Sequence, residues 1–281
     1  MTIKKYLNKI GSLENRKIIL IGGTSGIGLE LLKHLINLKA KIVLLAIERD
    51  ISAELKDKFN LEDVIYYDQS NTSQIDEAIE ELLRKHHDFD TIVLNAGVLG
   101  MTKVLDNGYP MTIAINYIGN RYFIDTISPK LTQRVKFVIA GSFAAGLHFK
   151  KHHNLKDTNM KKYDQYNISK GYLEAYFYKL HVEHKYPNID YVCTEPGLTN
   201  SGIIRSLNKV VRFLGKWFLK IFFHSPRKAS LCLLTGISDL SKDGDFITPR
   251  GLFALSGFPK IKSLPRKRRR QYLFEGESTD L

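Results

Sequence analysis

The sequence predicts an α/β protein: one doubly wound parallel sheet in three α/β/α layers, forming a single domain with a C-terminal elaboration. Three observations predict it. Short β-branched runs alternate with longer stretches of helical spacing through the first two thirds of the chain. The runs are largely continuous in apolar residues rather than apolar at every second residue, as strands covered on both faces are. No Pro/Gly/Ser-rich linker and no internal repeat divides the 281 residues.

Taken in order, Ile18–Ile21, Lys41–Leu45, Val64–Tyr67, Thr91–Leu94, Val135–Ile139 and Ile189–Cys193 read as buried strands. Leu29–Leu38 and Gln74–Lys85 carry helical spacing between them. Repeated β-α units with right-handed crossovers give a Rossmann-like sheet. A last strand is expected at Gly251–Leu255. The cofactor-binding and catalytic core is placed at about 16–200, a substrate lid or amphipathic helix at about 201–230, and a C-terminal strand with a basic tail at about 245–281.

Composition narrows the function classes. With 43% hydrophobic residues the chain can bury a large core, which argues against disorder. The two cysteines, Cys193 and Cys232, lie in apolar runs without metal-ligand spacing, and no metal site is expected. His148, His152 and His153 have no matching ligand cluster and read as solvated loop residues. The first residues show no apolar stretch of signal-peptide length and no run is long enough to span a bilayer, so a cytoplasmic protein is expected. The formal charge of +13 gives a field attractive to anions: phosphorylated cofactors, acidic lipid or nucleic acid.

The first strand runs directly into Gly22-Gly23-Thr24-Ser25-Gly26-Ile27-Gly28, and a helical pattern follows. Gly22 suits the tight turn, Gly26 a close backbone approach to a pyrophosphate, and Gly28 close packing of helix on strand. The anion then lies where unpaired N–H groups and the helix dipole point. Strand before and helix after is the context this loop requires.

The Gly-x-x-x-Gly-x-Gly spacing resembles that of the short-chain dehydrogenase/reductase family, although Ile21 stands where the family usually has threonine. Further landmarks of that family follow in order. Asp68 after the third strand matches the aspartate near the adenine ring, and Asn95-Ala96-Gly97 matches the Asn-Ala-Gly motif closing the fourth. Pro196-Gly197 matches the Pro-Gly turn beside the nicotinamide, with Thr199 and Ser201 placed for the carboxamide or phosphates. Tyr166-Asn167-Ile168-Ser169-Lys170 matches the Tyr-x-x-x-Lys pair; of the 14 tyrosines only Tyr166 is followed by lysine at that spacing. The resemblance implies an NAD(P)-dependent oxidoreductase in which Tyr166 is the general acid/base. Lys170 lowers its pKa and holds the ribose, Ser142 orients the substrate oxygen, and Asn116 positions a water beside the lysine. For Asn116, a polar residue bending its helix is the plainer alternative. The long interval between Ser142 and Tyr166, with Leu147-His148-Phe149 and His152-His153, is expected to line or cover the site.

The ribose-reading position after the second strand holds Glu48 and Arg49, neither at the family's usual place. Glu48 repels a 2′-phosphate and Arg49 attracts one; NAD or NADP is expected, with the balance leaning to NAD. Phe246–Phe253 and Gly257-Phe258-Pro259 resemble the retinol-dehydrogenase-like branch, which implies a small hydrophobic alcohol, aldehyde or ketone as substrate. Family habit implies a homodimer. Arg205, Lys209, Arg212, Lys216 and Lys220 form a narrow basic stripe beside Phe213, Trp217, Phe218 and Phe222. This reads as an apolar lid, or else as an interfacial helix in peripheral contact with anionic membrane. The run Arg266–Arg270 lacks aromatic interleaving, which argues against nucleic acid. The competing reading is a catalytically idle dinucleotide-binding regulatory protein.

Overall fold

The computed structural model describes residues 1–146, 153–199, 224–251 and 254–264. The insert at 147–152, the basic stripe with Ser201, and the Arg266–Arg270 run lie outside the described residues. Eight strands form one sheet: β1 Lys17–Ile21, β2 Lys41–Ala46, β3 Asp63–Tyr66, β4 Thr91–Leu94, β5 Val135–Ala140, β6 Ile189–Thr194, β7 Asp245–Pro249 and β8 Pro259–Ser263. The spatial order is β3-β2-β1-β4-β5-β6-β7-β8. All neighbours pair in parallel except β7 and β8, which are antiparallel.

The β1 sequence shows why three layers form. Ile18 and Leu20 point to one face and Ile19 and Ile21 to the other, all buried. The first face packs on α1 Ile3–Ile10, α2 Gly26–Asn37 and α8 Pro226–Ile237, through Leu7, Leu31, Leu35, Leu231 and Leu234. The second packs on α4 Thr72–Lys85, α6 Gly119–Ile127 and α7 Lys162–Glu183, through Ile75, Ile79, Phe123, Leu173 and Phe177. Among the described residues the remaining α-helices are α3 Arg49–Phe59 and the short α5 Met111–Ile113, which continues through a π-helical turn, Ala114–Ile118, into α6. Among the described residues no helix is long and apolar enough to cross a membrane.

Two expectations need correction. Gly251–Leu255 is not the last strand. The pair Phe246-Ile247 lies against Cys193-Thr194 of β6, so β7 forms there. Gly251 donates its N–H to the Ser256 carbonyl at 2.8 Å in the turn leading to β8. The N-terminal residues, not assigned to any element from the sequence, form α1. Thr2 caps it by accepting from the Lys5 N–H, and the Tyr6 hydroxyl meets Thr235 Oγ1 of α8 at 2.6 Å.

Candidate active site

Parallel strands deliver their C-terminal ends to one edge, and the crevice opens where the strand order reverses, between β1 and β4. The glycine turn, Glu48, Asp68, Asn95-Ala96-Gly97, Ser142 and Pro196-Gly197 each follow the C-terminal end of one of the strands β1 to β6 at that edge.

The β1 turn is built around Gly22, whose φ of +82° is accessible chiefly to glycine. The Asn95 Nδ2 amide donates to the Gly22 carbonyl at 2.6 Å. Asn95 and Ala96 N–H groups both donate to the Ile21 carbonyl, at 3.1 and 3.0 Å, lacing β1 to β4. Ile21 itself is buried in the α4/α6/α7 layer, so the residue replacing threonine serves packing. At Gly28 a Cβ would run into the Gly22 carbonyl, and α2 therefore starts directly on the turn. Ser25 precedes α2 without a side-chain cap, no acid lies in the helix's first turn, and the space around Gly26 is open. Thr24, Ser25, Gly26 and Ile27 thus surround a backbone-lined cradle that fits a pyrophosphate.

At the end of β2, Glu48 reaches back to this cradle: Thr24 Oγ1 donates to Glu48 Oε2 at 3.2 Å. Arg49 turns away and lies over the Tyr66 ring, 4.7 Å from its centroid. Asp68 is partly exposed, its Oδ1 accepting from the Ser70 N–H and hydroxyl at 2.8 and 2.7 Å. That turn sets up α4.

Beyond β4, Gly97 marks where two chemically important side chains converge. A Cβ placed there would stand 3.2 Å from Asn116 Oδ1 and 3.3 Å from Lys170 Nζ. Asn116 sits, wholly buried, in the π-helical turn before α6. Its amide spans the Val98 backbone, donating to the carbonyl at 2.9 Å and accepting from the N–H at 2.8 Å, and also donates to Ser169 Oγ at 3.1 Å. Such a turn widens a helix by one residue and recurs at functional sites. Both sequence readings of Asn116 therefore have a counterpart: it stands beside the lysine, and its helix departs from α geometry there.

Tyr166 and Lys170 are one turn apart on α7, facing the loop after β5. The Ser142 hydroxyl lies near enough to the phenol to favour its ionised form. Lys170 Nζ donates to the Ala140 carbonyl at 2.7 Å, and burial pulls its pKa down to about 8. The sequence expectation that Lys170 depresses Tyr166 is not what these contacts show. Burial pushes the phenol above its usual value, the Ser142 hydroxyl opposes this, and a nearby carboxylate, Glu174, adds to it. The ammonium is committed to Ala140.

Pro196-Gly197 closes the site past β6. A side chain on Gly197 would meet the Leu255 carbonyl, Pro249 and the His224 ring. His224 Nε2 lies 2.6 Å from the Pro196 carbonyl, its N–H donates to the Leu198 carbonyl at 3.0 Å, and it bridges to Thr199. Sequence reasoning missed two buried residues here, His224 and Glu174. The latter had a signal, since it extends the Tyr166/Lys170 spacing by one more turn.

A parallel sheet ordered 3-2-1-4-5-6-7 with a glycine turn between its first strand and first crossover helix defines the dinucleotide-binding α/β class. Within that class the chain belongs to the short-chain dehydrogenase family: the model of the family, short chain dehydrogenase, matches residues 16–211. It is similar to short-chain dehydrogenase reductase 4 of Arabidopsis thaliana, 29% identical over 118 residues, which is 40% of each chain. The match thus spans about two fifths of that relative's length. Short chain dehydrogenase atnD of Emericella nidulans is 23% identical over 79% of this chain and 80% of its own. Among solved structures, the Pseudomonas aeruginosa RhlG/NADP active-site complex superposes with a TM-score of 0.64 at 17% identity, covering 82% of this chain and 91% of that one. These matches establish the family and the fold, not the retinol-dehydrogenase-like branch within the family.

Proposed function

We propose that the protein interconverts an alcohol and a carbonyl on a small hydrophobic substrate, with NAD as its dinucleotide. The observation that carries this is the approach of Asn116 and Lys170 beside Gly97, with Tyr166 one helical turn from Lys170 and close to Ser142. The cradle fits the pyrophosphate, and Glu48 favours NAD. A carboxylate held against Thr24 accepts hydrogen bonds from ribose hydroxyls and repels a 2′-phosphate, whereas Arg49 is occupied by Tyr66. RhlG was crystallised with NADP; the carboxylate beside this cradle supports the opposite preference here.

The bound dinucleotide supplies the hydride exchange and, when oxidised, a positive charge. The chain's own residues handle the proton and the substrate oxygen. Ser142, close to the Tyr166 hydroxyl, donates to the substrate oxygen and sets it beside the phenol. Tyr166 is protonated at neutral pH, the form that delivers a proton to a developing alkoxide. In the reverse direction it must accept a proton, and a Lys170 ammonium released from the Ala140 carbonyl towards the phenol lowers the cost of doing so. Asn116, through Ser169 and Val98, holds the floor beneath the lysine.

The test is a titration with NADH and NADPH, followed by nicotinamide fluorescence, on the wild type and Tyr166→Phe. NADH should bind more tightly than NADPH, and the variant should bind as the wild type does. Its reduction of medium-chain aldehydes should fall by at least about a hundredfold. Failure of both dinucleotides to bind would remove the basis for the proposal.

A further inference from the structure

Glu174 stands one helical turn beyond Lys170 on α7 and is 2% exposed. A carboxylate in such a place is costly unless its oxygens are bonded, and a leucine would fill the same space at no such cost. Its Oε1 accepts the Ser142 backbone N–H at 2.8 Å. Gly141 is required for this approach, because a Cβ there would collide with the carboxylate. Tyr166, Lys170 and Glu174 thus form a stripe of three successive turns facing the loop after β5. The first meets the Ser142 side chain, the second the Ala140 carbonyl and the third the Ser142 amide.

We infer that Glu174 is a positioning residue for the reaction: by gripping the Ser142 amide through Oε1, it fixes the Ser142 hydroxyl against Tyr166 and the substrate oxygen. The inference rests on the proposed role of Ser142. The geometry gives the grip its leverage. A peptide held at its N–H by a buried side-chain oxygen cannot rotate without leaving both groups unpaired. The hydroxyl has a second tether, accepting the Ala144 N–H at 3.2 Å, so two bonds on opposite sides of the residue define where Oγ points. Glu174 touches neither cofactor nor substrate in this account; its effect on the reaction passes through Ser142.

The test compares Glu174→Gln, Glu174→Met, Ser142→Ala and the Glu174→Met/Ser142→Ala double variant in the full chain, with the medium-chain aldehyde that the wild type reduces fastest. Gln keeps the acceptor and Met keeps the volume without it. Glu174→Met should lower kcat about tenfold or more while the NADH Kd stays at the wild-type value, and Glu174→Gln should restore most of that loss. The double variant should lose no more than Ser142→Ala alone, because residues acting as one unit are non-additive. Fully additive losses, or a Gln variant as slow as the Met variant, would overturn the inference. A second measurement needs no turnover. Hydrogen exchange at the Ser142 amide should speed up about tenfold or more in Glu174→Met and stay near wild type in Glu174→Gln; equal rates in all three would also overturn it. A wild type that fails to bind NADH strikes the oxidoreductase proposal instead, and the exchange result then still decides whether Glu174 grips Ser142.

Discussion

At Gly28 the first crossover helix passes so close to the Gly22 carbonyl that one added methyl group has no room. Overpacking of this kind costs about 1–3 kcal/mol, and here it also pushes α2 off the turn that forms the cradle. Gly28→Ala should therefore lower the unfolding midpoint and weaken NADH binding together, read by urea denaturation and fluorescence titration. Unchanged affinity would show that the α2 N-terminus does not hold the pyrophosphate. Lys170 gives a prediction with a sign. Burial holds its pKa at about 8, whereas an unfolded lysine titrates near 10.4. Between about pH 8 and 10 the unfolded chain keeps a proton that the folded chain has shed, so this residue's contribution to stability rises with pH there. Relative to Lys170→Met, the wild type should gain about 2 kcal/mol across that window in urea denaturation, the raised tyrosines being common to both. A flat difference would mean that the ammonium is not desolvated. The residues placed at the site from sequence were those with a spacing to read: glycines around a turn, and tyrosine and lysine four apart. His224 stayed silent because it acts on a backbone group whose position only the fold reveals, and Glu174 showed only as a third residue at the four-residue spacing of Tyr166 and Lys170.

Elements were legible in proportion to their burial on two faces. The six β-branched runs match β1 to β6 to within a residue or two, because a strand covered on both sides must be apolar at every position. The misplaced seventh strand shows the limit. Phe246-Ile247 is a short apolar stretch, and the glycine at 251 looked like a strand boundary when it makes a turn. Helix α1 was missed although Ile3, Tyr6, Leu7 and Ile10 follow the three-four spacing of an amphipathic helix; eight lysine-rich residues form a weak pattern in isolation. Its stability comes from docking on α8, where Tyr6 is buried and bonded to Thr235. Tyr6→Ala should cost about 3 kcal/mol in thermal or urea unfolding while leaving the NADH Kd unchanged, since Tyr6 faces Thr235 of α8 and does not line the cleft that Ile3, Leu7 and Asn8 share with Gly26. A loss of affinity would tie α1 to the cofactor site.

Over the whole molecule, chemistry and cohesion occupy opposite rims of one sheet. The candidate site lies at the strands' C-terminal ends. At the other rim Arg16, just before β1, bonds Asp90 at 2.7 Å, Thr91 Oγ1 at 3.0 Å and the Ile237 carbonyl at 3.3 Å, tying β4 and α8 together. Antiparallel β8 has a further consequence. It covers the ladder of β7, and in doing so presents Lys260, Ile261 and Lys262 to solvent along its own length. Charged edge strands resist recruiting another chain, whereas Phe246, Ile247 and Thr248 would make a bare, apolar template. A chain cut before Pro259 should therefore lose not turnover first but colloidal stability. Light scattering should show it growing into polymers at concentrations where the full chain stays dispersed. β8 is in this sense a terminator of strand addition, and a cut chain that stayed dispersed would show that it is not.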